Sequence, residues 1–227
     1  GLISPENENL MWGTSQFGSL YRSTNYGLSY TTLNRPAAGE WVTPLYYEET
    51  ERAIYGGWTG IFKSLDSGAT WINVSGSAIN TTLTAMTVAP SNRMFIYASK
   101  GSTFFYSSNG GSSWKTTTIP SDVNAIAVSP TDPSKVWVVC NSFFNNVLVS
   151  VDGGTTFTNI SGNLPSINTR SIAVDDDADE TVYVGMNVGV FYRNKNNTTW
   201  TNYTANLPSV AINDIKIHQA GNLLRIG

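Results

Sequence analysis

The stretch SLDSGATW, residues 64–71, decides the reading of this chain. It is polar, carries one glycine and ends on an aromatic. Four relatives of it follow the same frame: STNYGLSY at 23–30, SSNGGSSW at 107–114, SVDGGTTF at 150–157 and the worn copy RNKNNTTW at 193–200. The octets begin at positions 23, 64, 107, 150 and 193, one step of 41 residues and three of 43. A fixed period of this length is the mark of a repeat architecture.

More than the octet recurs. AIAVSPTDPSKVW at 125–137 matches SIAVDDDADETVY at 171–183 without a gap, and AMTVAP at 85–90 is a shorter cousin. Each unit reads as an alternating apolar strand, a Pro/Asp/Asn turn and a second β-branched and aromatic strand. A third strand runs into the octet and a fourth leaves from its aromatic. No sustained helical period with caps occurs. Four strands per unit of about 43 residues define the blade of a β-propeller, in which twisted sheets pack face to face around an axis. The fold expected is all-β, about five four-stranded antiparallel blades over residues 1–227, with a β-sandwich as the weaker alternative.

Within this frame the octet is the hairpin turn between third and fourth strands. Its glycine suits positive φ, its Asp or Asn accepts hydrogen bonds from the turn, its leading Ser does likewise, and its aromatic enters the core. The residues so assigned are Ser23, Asn25, Gly27 and Tyr30; Ser64, Asp66, Gly68 and Trp71; Ser107, Asn109, Gly111 and Trp114; Ser150, Asp152, Gly154 and Phe157; and Trp200. Asp gives way to Asn25 and Asn109, which keeps an acceptor but not an acid, so the role expected is structural. In the fifth copy Asn197 replaces the glycine and is expected to adopt the same left-handed backbone.

The frame S-x-D-x-G-x-T-W resembles the Asp-box, or BNR repeat, of sialidases, sortilin-type receptors, xyloglucanase-like glycoside hydrolases and photosystem-assembly propellers. Phrases such as WVTP at 41–44, NISGNLP at 159–165 and NDIKIH at 213–218 are similar to propeller regions of large secreted bacterial cell-surface proteins. The resemblance implies a secreted or cell-surface module; the expectation from five blades plus unpaired pieces is a section of a longer protein whose full ring has six to eight blades. The resemblance does not imply one activity, because the same motif serves enzymes and binding proteins.

Composition narrows the function. Net charge is −3 with 13% charged residues and no basic block, which argues against nucleic acid. No run is long enough to span a bilayer, and the first residues carry no signal peptide. Cys140 is the only cysteine and His218 the only histidine, so disulfides, cysteine-based metal clusters and dispersed Ser-His-Asp chemistry are not expected. The acidic runs at 175–180 and at Glu48, Glu49 and Glu51 align with ordinary turns. Six Asn-x-Ser/Thr sequons in an Asn- and Thr-rich chain carry little weight. No catalytic residue, cofactor or metal is assigned.

The resemblance implies a ligand face on the loops opposite the octets, joining strand two to three and strand four to the next strand one. Arg35, Trp41, Trp58, Asp122, Arg170 and Asp214 are the main candidates there, with Glu40, Phe143, Phe144, Asn145 and Asn146 beside them. Exposed tryptophan would suit stacking on sugar rings or a protein hot spot. Two loop arginines are too few for a sialidase trio. The reading is a non-catalytic module for a protein or glycan ligand, in contact with other parts of a longer protein. The alternative is a glycoside hydrolase propeller whose active site is incomplete here.

Overall fold

The computed structural model describes residues 1–204, 209–218 and 223–227. Five four-stranded antiparallel sheets follow one another along the chain, and a two-stranded sheet closes the series. Blade I is β1 (Leu2–Ile3), β2 (Met11–Ser15), β3 (Ser19–Ser23) and β4 (Thr31–Leu33). Blade II is β5 (Leu45–Glu48), β6 (Ala53–Trp58), β7 (Gly60–Ser64) and β8 (Ile72–Asn73), and blade III is β9 (Ala85–Val88), β10 (Ile96–Lys100), β11 (Thr103–Ser107) and β12 (Lys115–Thr118). Blade IV is β13 (Val123–Val128), β14 (Val136–Cys140), β15 (Val147–Ser150) and β16 (Thr158–Asn159). Blade V is β17 (Thr169–Val174), β18 (Val182–Met186), β19 (Gly189–Arg193) and β20 (Thr201–Asn202), and blade VI is β21 (Ile215–His218) with β22 (Leu223–Ile226).

Each sheet is a meander whose strands pair in sequence order. The first strands β1, β5, β9, β13, β17 and β21 are neighbours in that order, so they line an axis and each sheet radiates from it. The second strand of an inner blade packs against a neighbouring blade on each face, and period-two alternation divides its side chains between two cores. In β14, Val136, Val138 and Cys140 enter the core shared with blade III, while Trp137 and Val139 enter the one shared with blade V. That double burial explains why VWVVC reads as an unbroken apolar run. Burial also accounts for Cys140, whose thiol pKa is pushed up to about 12.

Every third strand ends on the first octet residue, and every fourth strand starts just after the octet aromatic. In the octet of blade II, the Ser64 hydroxyl donates to Asp66 Oδ1 at 2.8 Å and accepts from Gly68 N–H at 2.8 Å. Asp66 also accepts from the Thr70 N–H at 2.8 Å and the Thr70 hydroxyl at 2.6 Å. Asp152 repeats these contacts with Thr156. Where the third residue is Asn, the seventh is Ser, and the amide donates instead: Asn25 Nδ2 to Ser29 Oγ at 2.9 Å, Asn109 Nδ2 to Ser113 Oγ at 2.8 Å.

The octet glycine is also where blades meet. A Cβ on Gly111 (φ +90°) would lie 2.3 Å from the Val74 carbonyl oxygen of the preceding blade, and one on Gly154 (φ +94°) 2.6 Å from a Phe104 ring atom. Close approach, in addition to left-handed geometry, therefore excludes a side chain.

Two octet expectations need correction. Tyr30 is 54% exposed and does not enter a core, because no described blade precedes blade I to cover it. Asn197 has no left-handed backbone. Arg193 stands where the other octets have Ser, so no hydroxyl gathers the turn. Asn194 Oδ1 accepts from the N–H groups of Asn196 and Asn197 instead, and the Arg193 guanidinium lies over the buried Trp200 ring.

The clip carries an acid-pH signature. Hydrogen bonds led by the Thr70 and Thr156 hydroxyls lower the pKa of Asp66 and Asp152 from the ordinary 3.8 to about 2. A depressed carboxylate contributes stability above its unfolded pKa and loses it as pH falls through the folded one. Stability should therefore drop between about pH 4 and pH 2. Asp66→Asn with Asp152→Asn should flatten that segment of a thermal-midpoint-versus-pH curve, whereas Asp66→Ala should cost about 1–2 kcal/mol at neutral pH, the scale of a lost side-chain cap. An unchanged acid slope in the double Asn variant would contradict the assignment.

Candidate functional site

The register sets the two ends of each blade apart. Val136 pairs with Ser150 at the octet end of blade IV, and Cys140 pairs with Val123 at the opposite end. At that opposite end, two recesses of about 410 and 350 Å³ share Asn124 and Asn141 as walls and form one groove around the mouth of the axis.

A β-bulge builds its centre. Val123 pairs with Cys140 and Ala125 with Val139, so Asn124 is the extra residue in β13; Thr169 pairs with Met186 and Ser171 with Gly185, so Arg170 is the extra residue in β17. A bulge re-aims its side chain away from the alternating pattern. Both bulged side chains reach the following blade: Asn124 Nδ2 donates to Thr169 O at 2.7 Å, and Arg170 Nη1 donates to Asn213 Oδ1 at 3.2 Å. Arg170 Nε donates to Asn187 Oδ1 as well.

The other end of the groove is charged and aromatic. Glu40 accepts from Lys100 and from the Thr82 hydroxyl, and these contacts, Lys100 foremost, hold its carboxyl below the usual range. Asp122 stands near Gly101, and its carbonyl accepts from Asn141 N–H at 2.8 Å. Trp41 and Val42 are exposed on the rim, and Phe17 meets Trp41 edge-on at 5.5 Å between ring centroids. Phe17 has a left-handed backbone (φ 62°), braced by Gly39 N–H and the Arg35 guanidinium, both donating to its carbonyl.

The structure thus gathers Trp41, Asp122 and Arg170 into one groove and sends the other three candidates elsewhere. Trp58 is fully buried, with its indole N–H donating to Gly18 O at 2.9 Å and its ring 4.8 Å from that of Trp71. It is not a ligand-face residue. Three glycines vacate its site, since a Cβ on Gly18, Gly39 or Gly56 would strike or crowd the indole. Arg35 is committed to bracing Phe17, and Asp214 is exposed and pairs with Lys216 at 3.5 Å. Sequence reasoning missed Lys100, Asn124, Asn141, Asn168, Asn187 and Asn213. The ungapped match of 125–137 with 171–183 holds the signal for one of them, because it places Asn124 at the position of Arg170.

The acidic runs are turns. Asp177 accepts from the N–H and hydroxyl of Thr181, Glu180 pairs with Lys135 of blade IV, and Glu48 accepts from the N–H groups of Thr50 and Glu51. Among the described residues no cluster of His, Cys, Asp and Glu is arranged to hold a metal ion. No helix among them is long and apolar enough to cross a membrane.

No family model and no curated protein matches the sequence. Solved structures do. An ancestral GH74 enzyme superposes with a TM-score of 0.76 at 18% identity, over 99% of this chain and 34% of that one. The GH74 xyloglucanase from Xanthomonas campestris gives 0.70 at 12% identity, over 95% of this chain and 39% of that one. An auxiliary nutrient binding protein from Bacteroides thetaiotaomicron gives 0.68 at 10%, over all of this chain and 65% of that one. At such identities the likeness defines the fold alone. The chain is a β-propeller, and it spans about a third of the length of the ancestral GH74 enzyme.

Proposed function

We propose that this chain is a non-catalytic binding module of an extracellular or cell-surface protein, one section of a larger propeller ring. Its ligand, a protein or a glycan, lies in the groove of the loop face. The observation that carries this reading is the groove itself: residues from the connection into blade II through to the entry of blade VI converge there, with an exposed tryptophan at one end and an arginine held by two amides at the other. Stiff sheets present these groups with little entropy left to lose on binding. The extracellular placement draws on the nutrient binding protein and on a further neighbour, an extracellular domain from B. thetaiotaomicron (TM-score 0.59, 16% identity, 82% of this chain and 25% of that one).

A second reading, part of a glycoside hydrolase, draws on the GH74 neighbours and on Asp122 in the groove. Such chemistry needs a carboxylic acid with a raised pKa facing a second carboxylate. Glu40, the other groove carboxylate, is shifted the opposite way by Lys100. The two readings separate on a polysaccharide panel scored for both retention and new reducing ends. Retention without cleavage is expected; cleavage abolished by Asp122→Asn would overturn the binding-module reading.

A further inference from the structure

The Arg170 end of the groove has a definite chemical sense. Its wall consists of Asn124, Asn141, Asn168, Arg170 and Asn213, with no carboxylate among them. Arg170 forms no ion pair among the described residues, yet its guanidinium is not loose. Asn187, from the turn after β18, takes Nε, and Asn213, from the entry to β21, takes Nη1. Each of these bonds commits an asparagine Oδ1 to the guanidinium and leaves the Nδ2 hydrogens without an acceptor among the described residues. Nη2 of Arg170 also has no partner among the described residues. Arg170 and the Asn213 amide thus present a cation and a donor to a polar recess whose wall holds no carboxylate.

We infer that this end of the groove binds a carboxylate carried by the ligand, and that the ligand is an acidic, uronate-bearing glycan. This rests on the binding-module reading above. A guanidinium already oriented on two sides presents its remaining edge to a planar carboxylate with little further ordering, the arrangement in which arginine outperforms lysine. An acidic peptide would need an apolar pocket for an anchor residue, and the recess has no apolar side chain in its wall. A sugar chain needs what the groove offers: amides for hydroxyls along the wall, and at the far rim the exposed Trp41 for a pyranose face.

The test is retention of the intact chain on immobilised oligogalacturonate, oligoglucuronate and oligomannuronate, each beside its carboxyl-reduced counterpart, with a poly-glutamate peptide as a further arm. Binding to at least one uronate glycan is expected, weakened about tenfold to a hundredfold by carboxyl reduction and by Arg170→Gln, the scale of one lost charge-assisted interaction. Arg170→Lys should recover only part of the loss, and Asn213→Ala should weaken binding with the charge retained. Thermal midpoints of the three variants should stay close to the parent, which separates lost recognition from lost folding. Equal binding to acidic and reduced glycans would overturn the carboxylate assignment and leave the binding module standing. Binding to poly-glutamate alone would overturn the glycan and leave a protein-binding module. No retention on any uronate glycan would overturn the inference, whereas cleavage in the polysaccharide panel would overturn the reading beneath it.

Discussion

Gly111→Ala should lower the thermal midpoint by about 10 °C, corresponding to roughly 3 kcal/mol in a domain of this size. Two costs combine. A non-glycine residue in left-handed backbone is less stable by about 1–2 kcal/mol, and Gly111 sits at φ +90°. The added methyl would also lie 2.3 Å from the Val74 carbonyl oxygen, and backbone cannot rotate away as a side chain can. Relief requires blades II and III to separate locally, an overpacking cost of about 1–3 kcal/mol. Gly76→Ala is the control: φ is +55° and nothing lies within 4 Å of its Cβ position, so only the conformational cost applies. Equal losses in the two variants would show that the octet glycine does not govern the joint between blades.

Trp58→Ala and Trp41→Ala should separate completely. Removing a fully buried indole costs about 3–5 kcal/mol, and the Gly18 carbonyl would lose its donor as well. The glycines around Trp58 offer no side chains to refill the space, so collapse is limited. Trp41 is 59% exposed, so its replacement should change stability by no more than about 0.5 kcal/mol. Any effect of Trp41→Ala should appear in ligand retention, because its contact with Phe17 sits on the groove rim. Denaturant unfolding of the two variants side by side checks this. A Trp58 variant as stable as the Trp41 variant would refute the buried assignment.

The contrast between these tryptophans shows what was legible. Both stand outside the octet positions, and sequence period alone treats them alike. The signal for Trp58 lay in Gly56, two positions before it on the same face of the strand, a residue with no reason to interrupt a strand unless something large needs room. The other two glycines of its pocket, Gly18 and Gly39, come from elements before it in the chain, and only folding brings them to the indole. Tyr30 fails for a related reason. Its octet is intact, but burial of the aromatic depends on the blade before it, not on the turn that holds it.

Blade number, strand order and hairpin positions follow from the sequence alone, because they rest on local chemistry repeated at a constant step. An octet of Ser, Asp or Asn, and Gly folds by hydrogen bonds within eight residues, so its presence in the text locates a turn in space. The groove is different. Asn124 and Arg170 leave the alternating pattern through bulges, Asn213 meets Arg170 from the next blade, and Glu40 pairs with Lys100 of blade III at the other end of the groove. Such convergence depends on how one sheet is set against the next. Tertiary structure alone decided which polar loop residues share a site and which only brace the loops around it.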